Sequence, residues 1–451
     1  MTIVIKKAKS SDFGEIYTLQ KKAFTSYTSF GDFESLMASP ESLIEHKPEI
    51  EVFKLIANNA LVGSAYIRKL DKLTCEIYRI FIDSNKQQQG YGSLFLNEII
   101  NTNSECTNFV VDTPLDISTN IQFYLKNGFI KDGVKESKGI KLQHFTKKVQ
   151  RNALTGLKPS DGGVHLGHWV GNIEPLIAYQ KDYSSTFLFA DLQVTNSNLA
   201  YYEKEHLFKN MQLMLKQMIA LGVDPCRVKV MLESKAKLSM LREFVFISDF
   251  ITDTKLYHVP FLSHVKGTDG AIKMSILNYP ILQAMDCILA NADVAFSNID
   301  NKVCFEVIND LFKRINNTGL RNYKQFKLIT GKVEQLIGFD GEKMSKSKGN
   351  CIFMTDSNDE LAKKVNKMYT DPNRQSADDP GCIDNNIVFK YLRVFATPEV
   401  YNSMAEQYGK GRLGDAETKK ILLEILIAFF TPYREKLSAI SDKFVDDILN
   451  Q

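Results

Sequence analysis

Four stretches of the chain carry residue types at spacings that suit chemistry on anionic ligands. In ALTGLKPSDGGVHLGHWVGN (153–172) an apolar run passes through a proline and glycines into a helix expected to start near His165. His165 and His168, three apart, share one face of its first turn, where free backbone amides also point outward. Such a set suits a phosphate. A metal would need further ligands, and none is nearby in sequence. In GEKMSKSKGN (341–350), Lys343, Lys346 and Lys348 sit among serine and glycine. That composition fits a solvated loop as well as a mobile arm closing on a polyphosphate. In the stretch 274–296, Tyr279, Gln283 and Asp286 fall at i, i+4 and i+7 on one face of an otherwise apolar helix. A buried carboxylate needs a donor, which either the backbone or a ligand N–H would supply. Finally, in KQQQGYGSLFLNEII (86–100) a strand runs into Gln87–Gly92 and then an amphipathic helix with Leu94, Phe95, Ile99 and Ile100 apolar. A glycine turn at a helix start exposes amides to a pyrophosphate, although G-x-G alone is also a common tight turn.

The elements that must position these residues alternate between strand and helix. Residues 3–148 read as strands IVIKKA, KLIAN, LVGSAYIRKL and CEIYRIFID around the helix DFGEIYTLQKKAF. NIQFYLKNGF (120–129) reads as a short helix stopped by Gly128, followed by a strand. Alternation at Ile140, Leu142 and Phe145 gives a last strand, and TKKVQRNA reads as a basic linker. A new apolar strand begins near Ala153. The strand STFLFA ends at Asp191, a place where α/β sheets present ligand-binding groups. Leu207, Met211, Met214, Leu215, Met218 and Ile219 then recur at helical spacing and mark a core face. We expect an α/β chain with domains 1–150, 151–357 and a helical 358–451. Lys363, Lys364, Lys367 and Arg374 in the last region would meet phosphates or form a solvated face.

Bulk properties narrow the class. A chain of 451 residues exceeds one core. A net charge of +3 hints only weakly at an anionic partner. The 7 cysteines are scattered without C-x-x-C or zinc spacing, which fits reduced thiols in a cytoplasmic protein and no metal centre. The N-terminus has no apolar signal region, and no run approaches the roughly 20 apolar residues of a membrane span.

The first part resembles the GNAT acetyltransferases on Gln87, Gly90 and Gly92 in the turn and on Asn120, Tyr124, Gly128 and Phe129 in NIQFYLKNGF. The resemblance implies an N-terminal GNAT α/β domain that binds acetyl-CoA through Ile80, Ile82, Gln87, Gly90, Gly92, Asn120 and Tyr124. Tyr124 would protonate the departing CoA thiolate. HLGH at 165–168 with KMSKS at 343–347, in that order, resembles the class I aminoacyl-tRNA synthetases. Within that class the chain is similar to the tryptophan enzymes, on GLKPSDGGVHLGHWVGNI, FLFADLQVTN, NYPILQAMDCIL, KMYTDPNRQSADDPGCIDNN and YGKGRLGDAETKKILLEILIAFFTPYREKL. That implies a Rossmann-like parallel-sheet catalytic domain and a helical anticodon-binding-like region. Asp286 would accept the indole N–H, with Tyr279, Gln283 and Asn301 around the amino acid. His165 and His168 would stabilise the α-phosphate of ATP, Lys343 and Lys346 the β- and γ-phosphates. Gly163, Gly167, Asp300, Met344, Ser345 and Ser347 complete the implied ATP set. Mg²⁺ with ATP, tRNA(Trp) and a homodimer are implied likewise.

Two departures stand out. Where that family has V-P-V-G-x-D-Q, this chain has Ala295–Asn301, with Asn298 for the glycine and Asn301 for the glutamine; Cys304 replaces a histidine. The acetyltransferase-like part is also foreign to ordinary tryptophan enzymes. Three readings follow: a tryptophan–tRNA ligase with a fused acetyltransferase; a tRNA-independent paralogue that makes or acetylates an aminoacyl-adenylate or a tryptophan-like inhibitor; or a non-catalytic RNA-binding regulator.

Overall fold

A computed structural model describes residues 3–25, 38–137, 139–195, 199–237, 240–251, 278–376 and 378–450. The chain forms two compact units, Met1–Arg151 and Asn152–Gln451.

In the first unit, the strands β1 (Ile3–Lys7), β2 (Ile50–Ala57), β3 (Ala60–Lys69), β4 (Thr74–Ile82), β5 (Asn108–Pro114), β6 (Ile130–Ser137) and β7 (Ile140–Lys148) build one sheet in the order β1-β2-β3-β4-β5-β7-β6. Helices α1 (Phe13–Phe24) and α2 (Pro40–His46) cover one face; α3 (Tyr91–Thr102) and α4 (Ser118–Lys126) cover the other. All described pairings are antiparallel except β4 with β5, which are parallel and paired only over Thr74–Glu76 and Asn108–Val110. Ile77–Ile82 and Val111–Pro114 therefore continue without a ladder between them, which opens a gap in the middle of the sheet. A bulge places Tyr78 opposite no partner, between the pairs Ile67–Ile77 and Tyr66–Arg79. Leu94 is exposed while Phe95, Leu96, Ile99 and Ile100 are buried, so the apolar stripe of α3 is turned by one position from the expected one.

The expected basic linker is absent. Strand β7 runs to Lys148 and Arg151 is buried, its guanidinium donating to the carbonyls of Cys106 (3.4 Å) and Ile100 (2.5 Å). Arg151 caps carbonyls of its own unit, which lysine-rich composition could not reveal.

In the second unit, β8 (Asn152–Leu157), β9 (Ser184–Phe189), β10 (Val228–Leu232), β11 (Val294–Phe296) and β12 (Lys327–Ile329) pair in parallel in the order β10-β9-β8-β11-β12. Strand β9 is buried over five consecutive residues, as a strand covered on both faces must be. After β8 the chain winds outward through β9 to β10, then returns to place β11 on the other side of β8. The reversal makes the carboxyl ends of β8 and β11 a switch point, where such sheets bind ligands. The helix expected near His165 is only one turn, α5 (Leu166–His168). It continues through a π turn, Trp169–Ile173, into α6 (Glu174–Tyr179). Then follow α7 (Asp191–Thr195), α8 (Lys204–Leu221), α9 (Glu233–Lys237), α10 (Leu241–Ser248), α11 (Tyr279–Leu289) and α12 (Lys302–Asn316). On α8, Met211, Met214, Leu215 and Met218 are buried as the spacing predicts.

The C-terminal region is helical: α13 (Asn358–Lys367), α14 (Ile387–Phe395), α15 (Pro398–Gly409), α16 (Asp415–Ala439) and α17 (Asp442–Leu449). Ser357 and Glu360 form a capping box at the start of α13. Of the four basic residues singled out here, Lys364 binds Asp356 at 2.6 Å. Arg374 is fully buried, 3.6 Å from Asp415 and stacked on Tyr408. Both are structural. Only Lys363 and Lys367 are exposed. No helix among the described residues is long and apolar enough to cross a membrane.

Candidate active sites

The second unit joins its two motifs by backbone hydrogen bonds. Leu166 donates to Ile352 (2.9 Å) and Met354 to Val164 (2.9 Å), so residues 352–354 run antiparallel to 164–166. Gly163 adopts φ +69°, and a side chain there would meet Gln217 Oε1 at 2.3 Å. This position requires glycine twice over, for its backbone and for the close approach of α8. The turn places His165 at the N-cap of α5, its Nδ1 accepting from the His168 amide at 3.3 Å. The two imidazoles stack with centroids 3.6 Å apart. Burial and the nearby Lys346 push His165 down to about 3, and burial with His165 holds His168 well below its usual value. Both rings are therefore neutral at physiological pH. The positive charge beside them comes from Lys346. Nδ1 of His168 is buried with no hydrogen-bond partner.

The lysine loop lies against this turn. Lys346 donates to Ser160 O (3.1 Å), Ser160 Oγ (2.9 Å) and Gly163 O (2.6 Å), and burial lowers its pKa to about 8. Lys343 is exposed and pairs with Asp300 at 2.8 Å. Between them Met344 is buried, its sulfur 3.2 Å from the Gly167 amide. Asn350 fixes the loop from inside, accepting from Ser345 N (2.7 Å) and donating to Asp340 (2.8 Å) and Lys343 O (3.1 Å). The structure thus brings His165, His168, Gly163, Gly167, Lys346, Met344 and Ser345 together, with Lys343 and Asp300 as a pair beside them. The side chain of Ser347 lies outside the described residues, as do residues 274–277 of the stretch containing α11.

Next to this turn, a cavity opens at the carboxyl ends of β8 and β11. Its walls include Lys158, Gln193, Tyr279, Gln283, Asp286 and Asn301. Asp286 is buried and accepts from Gln193 Nε2 (3.0 Å). Gln193 Nε2 also donates to Glu233 (2.8 Å), which is fully buried and takes the amides of Leu192 (3.1 Å) and Gln193 (3.2 Å). A carboxylate held this way fixes the amide of Gln193, which in turn fixes Asp286. Gln283 donates to the Tyr279 hydroxyl at 3.4 Å, and Asn301 to Ser297 Oγ at 2.6 Å. Lys158 lies over the Tyr279 ring at 4.6 Å and is pushed by burial to about 8. Asn298 reaches from the altered segment to Gly167 O at 3.4 Å and occupies the space beside Gly171.

Lys158, Ser160, Gln193 and Glu233 escape the reading by motif. A usable signal existed for two of them: Gln193 lies two residues past Asp191, and Glu233 directly follows β10, both at strand carboxyl ends.

In the first unit, Gly90 is the N-cap of α3 at φ +85° and brings no capping side chain, so the first-turn amides face outward. Gln87 folds back to Ile82 O at 3.2 Å. Gly92 packs on Phe123, which a Cβ would approach to 3.1 Å. Asn120 donates to Thr113 Oγ1 at 3.0 Å. Tyr124 is buried among Phe123, Phe129 and Phe145, with centroids at 5.2, 5.6 and 5.6 Å. Ile80 and Ile82 line the α3 side of the sheet, on the part of β4 that pairs with β3 but no longer with β5.

A parallel sheet with a switch point, a histidine turn and a lysine loop hydrogen-bonded to it define a nucleotide-activating class. Residues 146–431 match the family described as tRNA synthetases class I (W and Y), and the chain belongs to that family. Residues 48–131 match the Acetyltransferase (GNAT) domain. The chain is 31% identical over 304 residues to the tryptophan–tRNA ligase of Borreliella burgdorferi, covering 66% of this chain and 86% of that one. It is 30% identical over 295 residues to that of Chlamydia caviae, covering 64% and 85%. The fold is shared with the tryptophanyl-tRNA synthetase of Mycoplasma pneumoniae, at 20% identity and TM-score 0.58 over 67% of this chain and 92% of that one. The Campylobacter jejuni enzyme, solved with ADP and tryptophan, gives 24% identity and TM-score 0.55 over 67% and 93%.

Proposed function

We propose that the second unit activates tryptophan with ATP to tryptophanyl-adenylate and passes it to tRNA(Trp), and that the first unit transfers acetyl from acetyl-CoA to an amine. The observation that carries the synthetase reading is the docking of Lys346 on the histidine turn, where it holds only backbone and serine oxygens. Phosphate oxygens are stronger acceptors for a lysine than these, so an entering triphosphate would take Lys346 from Ser160 and Gly163, while the exposed Lys343, now paired with Asp300, would swing to the same phosphates. The exchange puts two charges on the pyrophosphate as it leaves, where they lower the barrier most. The neutral imidazoles donate to the α-phosphate, with the unpartnered Nδ1 of His168 suited to one such bond. Asp286, oriented by Gln193 and Glu233, accepts the indole N–H. Lys158 adds a positive charge to the same wall, suited to the carboxylate that attacks the α-phosphorus. Among the described residues no cluster of acidic or histidine side chains is built to hold a metal; Mg²⁺ would enter with the phosphates.

In the first unit, the outward amides of α3 suit the pyrophosphate of CoA, and the gap between β4 and β5 suits its pantetheine arm. Tyr124 would reprotonate the thiolate. A homodimer and a cytoplasmic setting follow from the family reading.

Tryptophan-dependent exchange of pyrophosphate into ATP tests the synthetase reading; its absence sinks it and favours a non-catalytic regulator. Asn298, seated against the histidine helix where the family has glycine, favours a second reading: a tRNA-independent paralogue that acetylates what it activates. Robust exchange without charging of purified tRNA(Trp) would select it.

A further inference from the structure

Outside the residues assigned above, the first unit holds a histidine–carboxylate pair. Asp112 on β5 and His144 on β7 are directly opposite each other in the antiparallel register. Nδ1 of His144 lies 2.5 Å from Asp112 Oδ1, and Lys135 on β6 approaches Asp112 Oδ2 at 3.5 Å. Side chains alternate along a strand. Val111 and Phe145, the next residues, are buried in the core under α3 and α4, so the pair points to the opposite face. There the core under α1 and α2 gathers residues of β2, β3 and β4 and, among the described residues, none of β5, β6 or β7. The pair thus stands beyond the rim of that core and is partly exposed, at 14% for His144 and 26% for Asp112.

Its position along β5 carries the argument. The last pair between β4 and β5 is Glu76–Val110, and Asp112 comes two residues later, where the gap opens. Tyr124 lies on the other face of the sheet, its ring centred 5.6 Å from that of Phe145, the neighbour of His144 in β7. A thioester carried into the gap would have the Tyr124 side of the sheet on one face and, on the other, Asp112 at the edge of β5 with His144 one strand behind it.

We propose that His144 is the general base that takes the proton from the acceptor amine, with Asp112 as the residue that positions it; this rests on the acetyltransferase reading of the first unit. Asp112 accepts from Nδ1–H, which leaves the Nε2 lone pair to receive a proton. The amine nitrogen bonds to the acetyl carbon and its proton passes to Nε2. The carbon–sulfur bond then breaks, and the sulfur takes a proton from the Tyr124 hydroxyl. Return of the proton from His144 to Tyr124 through solvent restores both groups. The products are the N-acetyl amine and CoA thiol. A purely structural pair on a half-exposed sheet face would add a little to stability and nothing to turnover.

The test uses the full chain with acetyl-CoA and three amines: L-tryptophan, tryptamine, and tryptophanyl-adenylate formed in place from tryptophan and ATP. Acetylated product is read by mass spectrometry. His144→Ala is expected to lower kcat by about 100-fold or more, with unchanged KM for acetyl-CoA and partial restoration by added imidazole. His144→Gln keeps a hydrogen bond to Asp112 and should lose the same activity at unchanged melting temperature; Asp112→Asn should lose less. Unchanged kcat, or a loss that imidazole does not restore, overturns the assignment of His144. No acetylated product from the unaltered protein with any of these amines overturns the acetyltransferase reading itself, and the proposal with it.

Discussion

The helix start at Gly90–Tyr91 and the helix start at His165–Leu166 differ in what stands before them. In the first unit the turn Gln87–Gly90 is exposed, and Gly90 brings no capping side chain to α3. In the second, two stacked histidines and a half-buried lysine crowd the turn, and a strand-like segment is hydrogen-bonded alongside. The proposed ligands explain the difference. A CoA pyrophosphate is a handle that does not react, and fixed amide dipoles suffice to hold it. The pyrophosphate of ATP is a leaving group, and charge must follow it as it departs. A charged side chain that has an alternative seat within the protein can do that.

The largest effect should come from removing that side chain. Lys346→Ala is expected to reduce tryptophan-dependent pyrophosphate exchange by about 100-fold or more, with a melting temperature close to the parent's. Unchanged exchange would remove the contrast between mobile charge and fixed dipole. Asp286→Ala should raise KM for tryptophan by roughly 10- to 100-fold, the range for one buried polar partner. Glu233→Gln should do so more weakly, because it loosens Gln193 rather than removing the acceptor; equal effects would make Glu233 a ligand contact in its own right. A pH series sharpens the comparison further. Lys346, at about 8, is charged below that pH and neutral above it. Its contribution is present at pH 7 and lost as pH rises, so kcat/KM for ATP should fall about 10-fold per unit above pH 8. Backbone amides do not titrate, so acetyl-CoA affinity, read by calorimetry, should stay level over the same window. The smallest effect is expected from Gly90→Ala. A non-glycine residue at φ +85° costs about 1–2 kcal/mol; the free turn relaxes to escape it, and acetyl-CoA, which would have to restore that conformation, should bind roughly 5- to 30-fold more weakly. No change would show that the turn is not shaped for the anion.

Much of this was legible in residue order, and the missing parts share a cause. HLGH, KMSKS and the Tyr279–Gln283–Asp286 spacing are local patterns, and the helix α11 presents its polar face as the spacing predicts. Parallel order also follows from alternating elements. The partners that tune these residues are remote: Gln193 lies 93 positions from Asp286, and Ser160 lies 186 from Lys346. No periodicity links them; only the winding of β8, β9 and β11 does. Lys-rich composition misled at residues 146–153, because a single arginine satisfying two carbonyls looks like any other basic residue. The same holds for Lys364 and Arg374.

The π turn at Trp169–Ile173 sets a phase. One extra residue in a helix advances everything after it by about 100° relative to an unbroken α-helix. Before the turn, His165 and His168 lie beside Lys346 of the lysine loop. After four more residues, Asn172 faces the sheet, donating to Thr155 Oγ1 (3.0 Å) and Phe296 O (3.3 Å) across the junction of β8 and β11. The bulge acts as a vernier between two lattices: it lets one segment keep time with the lysine loop at its start and with the strands a turn later. A shortening of one residue there would leave both ends intact and set them out of step.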